Sequence, residues 1–385
     1  MSESLGVGII GCGNISQTYL ELAPLFKFIT MRAVADMRPK AAQTRAEEYG
    51  LRAQSVNDLL AADDIDIIVN LTIPAAHFEV SKRILEAGKH VYSEKPFVLS
   101  VQEGQELARI AQEKGLRIGS APDTFFGGSH QLARHIIDSD RIGTVHSGTC
   151  HVMSNGMESW HPDPDFFFKP GGGPVLDLGP YYITNLVQLL GPVKRVAALT
   201  SMAKDVRTIT SQPRFGEQIT VETPTSVHAL LQFENGSTIT LGASWDVQHH
   251  KHSNMELYGT EGTLYVPDPN FFSGEVSMHG PGGDEVALPI WHHPLGIDNQ
   301  TDGSAQSQAN YRTAGLAEMA QAILSEVPQR CSNELALHVV DVMVSILHSG
   351  ETGSFIDLAT TCTRPEALDA KTAAALMAQP EAVNA

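Results

Sequence analysis

The sequence predicts an α/β protein: an N-terminal Rossmann-type doubly wound parallel sheet, followed by an α+β domain built on a large, mostly antiparallel open sheet. Three observations predict it. Over residues 5–120 short, continuously apolar runs alternate with segments of helical period, as expected of strands buried on both faces by crossover helices. The first run ends in Gly11-Cys12-Gly13-Asn14-Ile15-Ser16, a glycine turn that opens a helix. After Asp123 the pattern changes, and turn residues break up a series of strand-like runs.

In chain order, the runs at 5–10, 31–35, 65–71, 90–93 and 117–120 read as strands. Segments 15–22, 39–49, 75–87 and 101–114 read as helices, with Gly50 and Gly88 placed to close two of them in the left-handed conformation that glycine tolerates. A helix at 129–137 and a strand at 144–152 lead into a Pro-, Gly- and aromatic-rich stretch at 160–174, and then into a helix through 181–190. Strands follow at 193–200, 225–233, 237–244, 255–258 and 263–266. Asn235-Gly236 predicts a hairpin with a type I′ turn, whose two central residues need positive φ. The polar segment 267–303 reads as a loop over one face, and 311–324 and 333–348 as helices. The expected divisions are a dinucleotide-binding domain at 1–123, a substrate-binding and oligomerisation domain at 124–365, and an alanine-rich tail at 366–385.

Composition narrows the function. At 385 residues the chain exceeds one ordinary core, which agrees with two domains. With 26 Lys+Arg against 44 Asp+Glu the net charge is -18, which opposes nucleic acid and anionic membrane surfaces. Four cysteines without a CxxC pair suggest neither a disulfide framework nor a zinc ribbon, so a reduced, cytoplasmic setting is expected. The start MSESLGVGIIGCGN lacks a basic leader region, and no apolar stretch reaches bilayer length.

The glycine turn points to a dinucleotide. Gly11 permits the tight turn, Gly13 lets the backbone approach a pyrophosphate, and Ser16 is small enough for close helix packing. Asn14 and Ile15 open the helix whose N-terminal amides face the phosphates. Asp36 ends the second strand, where a carboxylate accepts from the adenosine ribose hydroxyls and repels a 2′-phosphate. NAD is therefore preferred over NADP, with Met37 beside the ribose and Arg38 as the competing signal for a phosphate. Thr72-Ile73-Pro74, with His77 in the next helical turn, closes another strand at the same sheet edge, as does Glu94. A glycine-rich turn without a ligand, ordinary helix capping by Pro74 and a surface His77 are the plain alternatives.

Oxidising a secondary alcohol requires a base for the hydroxyl proton while the nicotinamide takes the hydride. Lys95, in Glu94-Lys95-Pro96 at a strand end, is the candidate, because a lysine desolvated beside a cationic ring gives up its proton more readily. Asp177 and Tyr181, four apart at the start of a helix, share one face and are the second candidates. A solvated lysine, a helix-capping aspartate and a core tyrosine are the alternatives. Trp160 and His161 stand ready to line a sugar pocket, with Asp123 a further substrate candidate. His249-His250-x-His252 lacks a nearby carboxylate to complete a ligand set, and adjacent strand residues face opposite ways, so no metal is expected.

With Gly11-x-Gly13, the Thr72-Ile73-Pro74 turn with His77, Glu94-Lys95-Pro96 and Gly171-Gly172-Gly173 followed by Asp177, the chain resembles the glucose-fructose oxidoreductase, inositol dehydrogenase and rhizopine catabolism family, Gfo/Idh/MocA. The resemblance implies an NAD(P)-dependent oxidoreductase acting on a sugar or cyclic polyol. It also implies that Lys95 and Asp177 are catalytic. A histidine is expected four residues after the aspartate, and Tyr181 stands there. Tyrosine does not titrate near neutrality, so either Tyr181 works with a pKa lowered by Lys95 or Lys95 is the sole proton carrier, and in both cases Lys95 becomes more central. An enzyme that cleaves or eliminates through transient NAD oxidation, and a cofactor-sensing binding protein, are the competing readings. A homodimer or homotetramer through the open sheet is the expected assembly.

Overall fold

The computed structural model describes residues 4–301 and 307–378. The chain divides into two compact units, neither continuous in sequence: Met1–Gly128 with His292–Leu337 and Pro365–Ala385, and Ser129–Trp291 with His338–Arg364.

The first unit runs β1 (Leu5–Ile10), α1 (Asn14–Leu22), β2 (Ile29–Ala35), α2 (Pro39–Tyr49), β3 (Arg52–Gln54), α3 (Val56–Ala61), β4 (Ile67–Asn70), α4 (His77–Glu86), β5 (His90–Ser93), α5 (Val101–Lys114) and β6 (Ile118–Ser120). Its strands are parallel in the order β3-β2-β1-β4-β5-β6. Val7, Ile9, Val34, Ile67, Ile68, Val69 and Val91 are wholly buried, which is why these strands are apolar throughout and do not alternate. Strand order reverses direction between β1 and β4, and there the carboxyl ends open a crevice for a ligand.

Two elements of this run escaped the sequence reading, as did the strands Ser277–His279 and Ile356–Asp357 of the second unit. The edge strand β3 is Arg-Ala-Gln, too short and polar to give an apolar run. The single-turn-scale α3 is announced only by Ser55, whose side chain accepts from the Asp58 amide. Gly50 closes α2 at φ 65, and Gly88, one residue past the C-cap Ala87, closes α4 at φ 78, both in the left-handed conformation expected of them.

Later segments return to this sheet. Ser332 bridges Gly119 and the Ser120 amide donates to the Cys331 carbonyl, so the β6 edge is covered. A short helix, Ala370–Leu376, docks through the Lys27 amide, which donates to the Leu376 carbonyl, and through the buried Leu376. The packing thus differs from a single cut after residue 123 with a separate tail from 366. Contacts between distant segments, which no local pattern encodes, decide it. Residues 379–385 of that tail lie outside the described residues.

The second unit holds α6 (Gly128–Asp138, whose first residue belongs to the first unit), β7 (Val145–Met153) and α7 (Pro174–Leu190). Its eight-stranded sheet runs Ser277–His279, Thr263–Val266, Met255–Gly259, β7, Thr238–Ser244, Ser226–Phe233, Val193–Ser201, Ile356–Asp357. Only β7 with Thr238–Ser244 is a parallel pair. One face packs on α7 through residues such as Val227, Ala229 and Leu231, while His228 and Leu230 alternate to the other face.

The hairpin at Asn235-Gly236 forms, but with a different turn. Only Gly236 has positive φ, at 90. Its amide donates to the Phe233 carbonyl, and the Phe233 amide to the Ser237 carbonyl. This is a type I turn closed by a left-handed glycine, a bulged hairpin in place of type I′. Asn235 Oδ1 accepts from the Ser237 amide at 2.9 Å, which holds the asparagine within that turn.

Candidate active site

The glycine turn between β1 and α1 explains its own composition. Gly11 has φ +106, and a Cβ there would stand 2.6 Å from the Leu71 carbonyl carbon and oxygen, so the protein itself demands glycine. Gly13 differs: a Cβ would meet nothing within 4 Å. The open side of Gly13 is therefore room left for a group the chain does not supply. Ser16 is buried and its Oγ donates to the Gly13 carbonyl at 2.6 Å, tying the helix start to the turn. Asn14 is exposed and Ile15 half-buried at the first turn of α1.

Asp36 is built into the same turn. Its Oδ2 accepts from the Cys12 amide at 2.8 Å and its Oδ1 from the Arg38 amide at 2.8 Å. Oδ2 keeps a further lone pair for a hydroxyl. The Arg38 guanidinium approaches Oδ1 at 3.5 Å but is largely exposed, and lines a shallow cleft with Lys40 and Arg45. Burial, and then Asp36, push the Cys12 thiol up to about 11, so it stays a thiol. Met37 is 94% and Ile73 69% exposed. Because β2 and β4 flank β1, these two apolar side chains lie on either side of the glycine turn. An open Gly13, an anchored carboxylate and the α1 N-terminus are what NAD requires: pyrophosphate on the turn, ribose hydroxyls on Asp36.

The next strand ends form one network. Asn70, wholly buried, accepts through Oδ1 from Thr72 Oγ1 at 2.7 Å and from the Thr72 amide at 3.2 Å. Its Nδ2 donates to the His77 carbonyl and to Ser81 Oγ, each at 3.0 Å. Asn70, a polar residue closing an apolar strand, thereby anchors the Thr72 turn to the start of α4. Pro74 opens a short 3-10 turn ahead of α4. His77 is 1% exposed, so it does not meet a cofactor as expected; its ring nitrogens face the Pro96 and Thr72 carbonyls at 2.7 and 3.0 Å. Burial lowers its pKa. Glu94 accepts from the Tyr19 hydroxyl at 3.0 Å and from the Lys95 amide at 2.8 Å. Lys95 is half-buried at the end of β5.

Asp123 is a correction. Expected at the substrate, it is 2% exposed and its Oδ2 accepts from the Thr313 and Gly315 amides at 3.0 and 2.9 Å. It clasps the start of helix Ala314–Leu324 within the first unit. Burial is the leading influence and pushes its carboxyl up to about 6, against the two amide donors.

Asp177 and Tyr181 belong to the second unit, on α7, with Asp177 half-buried in the first turn and Tyr181 buried one turn on. Gly173 precedes the helix at φ 90, and Pro174 occupies its first turn. Trp160 is exposed, with the His161 ring edge-on at 5.4 Å. His161 Nδ1 accepts from the Asp163 amide at 3.1 Å, and its carbonyl from Ser211 Oγ at 2.5 Å. The histidines at 249, 250 and 252 lie in a loop, not a strand. His252 stacks on His151 at 3.9 Å, an arrangement that does not converge lone pairs, and among the described residues no three such side chains are placed to share a metal.

A Rossmann sheet with this turn, and a lysine at the same edge, defines the class of pyridine-nucleotide oxidoreductases. Residues 5–121 match the oxidoreductase family model for the NAD-binding Rossmann fold, and residues 130–265 the GFO/IDH/MocA C-terminal domain. The chain belongs to the Gfo/Idh/MocA family and is an NAD-binding oxidoreductase. It is 27% identical to the dTDP-3,4-didehydro-2,6-dideoxy-alpha-D-glucose 3-reductase of Saccharopolyspora spinosa, over 75% of this chain and 84% of that one. To the D-glucoside 3-dehydrogenase of Escherichia coli it is 26% identical, over 66% and 74%. The structure of levoglucosan dehydrogenase with NADH superposes with TM-score 0.78 at 20% identity, covering 93% of this chain and all of the other, a likeness of fold. Among the described residues no helix is long and apolar enough to cross a membrane.

Proposed function

We propose that the protein transfers a hydride between NAD and a secondary alcohol or ketone of a sugar, sugar derivative or cyclic polyol, with Lys95 carrying the proton. The observation that carries the reading is the pairing, on one sheet edge, of a turn open at Gly13 with a lysine whose loop is tied down by Glu94 and His77. NAD, when bound, supplies the hydride acceptor at its nicotinamide ring. Lys95 takes the hydroxyl proton in oxidation and returns it in reduction. Asp177, in the first turn of α7, accepts from a substrate hydroxyl and orients it, and Tyr181 lies on the same helix face. Trp160 offers an exposed ring to an apolar sugar face. The two sugar-acting relatives carry position 3 in their names, so glucosides with a free hydroxyl at that carbon come first in the test.

A panel of D-glucosides, free hexoses and inositols with NAD is expected to yield a substrate that accumulates NADH mole for mole with product. Product without net NADH would replace this reading with transient oxidation and elimination. Tight NAD binding with no turnover across the panel would leave a cofactor-sensing protein instead.

We propose further that the sheet face away from α7 joins copies of the chain. Leu199 is 74% exposed there, close to Leu230 and Phe355 along one shallow groove. Leu199→Asp combined with Leu230→Asp is expected to reduce the mass measured by light scattering to that of a monomer. A wild-type monomer, or an unchanged oligomer in the double variant, would refute it.

A further inference from the structure

His77 is buried where neither the cofactor nor a substrate reaches it, yet it touches both loops that carry the site. Nδ1 stands 2.7 Å from the Pro96 carbonyl, next to Lys95, and Nε2 stands 3.0 Å from the Thr72 carbonyl, in the turn after β4. Both partners accept only, and a neutral imidazole has one N–H to donate. The shorter contact takes it. A second proton is opposed first by burial and also by the Lys95 charge, whereas the two carbonyls and Glu94 favour it. The two loops also differ in what else holds them. Thr72 is already fastened twice to Asn70. Pro96 has no N–H of its own, so its carbonyl is the backbone handle available at that residue.

We infer that His77 is a positioning residue for Lys95: it donates from Nδ1 to the Pro96 carbonyl and so fixes the loop that carries the proton-transferring lysine. The inference rests on the oxidoreductase reading for its purpose, but its geometry stands within the first unit and is testable without a substrate. Asparagine and glutamine separate the two ring positions, of which only Nδ1 carries a hydrogen in this tautomer. The amide nitrogen of Asn sits near the place of Nδ1, and that of Gln near the place of Nε2. A conservative donor therefore exists for each contact.

In the protein without NAD, imidazole nitrogen NMR with 15N-histidine is expected to show His77 protonated at Nδ1 and bare at Nε2 at neutral pH, with His77→Asn identifying the signal. The opposite tautomer would overturn the inference, whether or not any variant folds. The second readout is the rate at which acetic anhydride acylates Lys95, followed by mass spectrometry across pH. His77→Asn is expected to keep the wild-type profile within about twofold and His77→Gln to depart from it by about tenfold, the scale of one buried hydrogen bond. Identical Lys95 profiles in all three proteins would reduce His77 to a packing residue. With a substrate in hand, His77→Gln is expected to lower kcat by a similar factor while the KM for NAD is kept. If Lys95 responds as described but no sugar or polyol is turned over, the positioning role stands and the dehydrogenase reading fails.

Discussion

Lys95→Met is expected to lower kcat by at least about a hundredfold, the usual scale of general acid–base catalysis, while NAD affinity stays within about threefold. Methionine keeps the unbranched apolar stem of the half-buried side chain and removes only the titrating amine. The Lys95 amide bond to Glu94 and the Pro96 bond to His77 are backbone contacts that survive the change, so the loop keeps its place. The loss is expected to be large because Tyr181 occupies the position where a histidine would otherwise share the proton. Steady-state kinetics on the substrate found in the panel, with an NAD titration by fluorescence, checks it. Near-normal turnover would remove Lys95 from the chemistry.

Asp123→Ala is expected to cost about 2–4 kcal/mol of stability. It leaves the Thr313 and Gly315 amides without their acceptor in a site closed to water, and each such orphaned donor costs roughly 1–3 kcal/mol. Relief from holding a buried carboxylate offsets part of this. Asp123→Asn retains an acceptor oxygen and is expected to recover most of the loss. The pH dependence distinguishes the charge from the clasp. The folded carboxyl is pushed up to about 6 and the unfolded one titrates near ~3.9, so the folded state holds the proton more tightly. Its contribution is fully present below the unfolded value and is lost as pH rises through the folded value, a fall of order 2–3 kcal/mol between about pH 4 and 6. Chemical denaturation across that window is expected to show this falling term in the wild type relative to Asp123→Asn. A difference curve that is flat or rises would refute the assignment.

How much was legible in advance depended on how local each signal was. The strands β1 and β5 and the helices α2 and α5 have the expected bounds to the residue because apolar runs, helical period and a closing glycine such as Gly50 all act within about one turn of their own position. Gly11, Gly13 and Asp36 meet at one turn because a strand–turn–helix places them by chain connectivity alone. The polar edge strand β3 carried no such signal, and Asn235 kept a negative φ that its sequence context had not suggested. His77 and Asp123 misled for a shared reason. Each was read from its neighbours in sequence, whereas its role is set by a partner at Pro96 or at Thr313 and Gly315.

By itself the sequence determined the class of the protein: an open Gly13, an acidic strand end at Asp36 and Lys95 beside Pro96 are covalently local arrangements, and their chemistry follows from residue type and order. Tertiary structure alone decided which polar residues are machinery and which are scaffold. The Thr313 and Gly315 amides, far along the chain, clasp the buried Asp123, and the Pro96 and Thr72 carbonyls close around His77. Burial and hydrogen-bond partnership are properties of the packed chain, and a residue name carries neither.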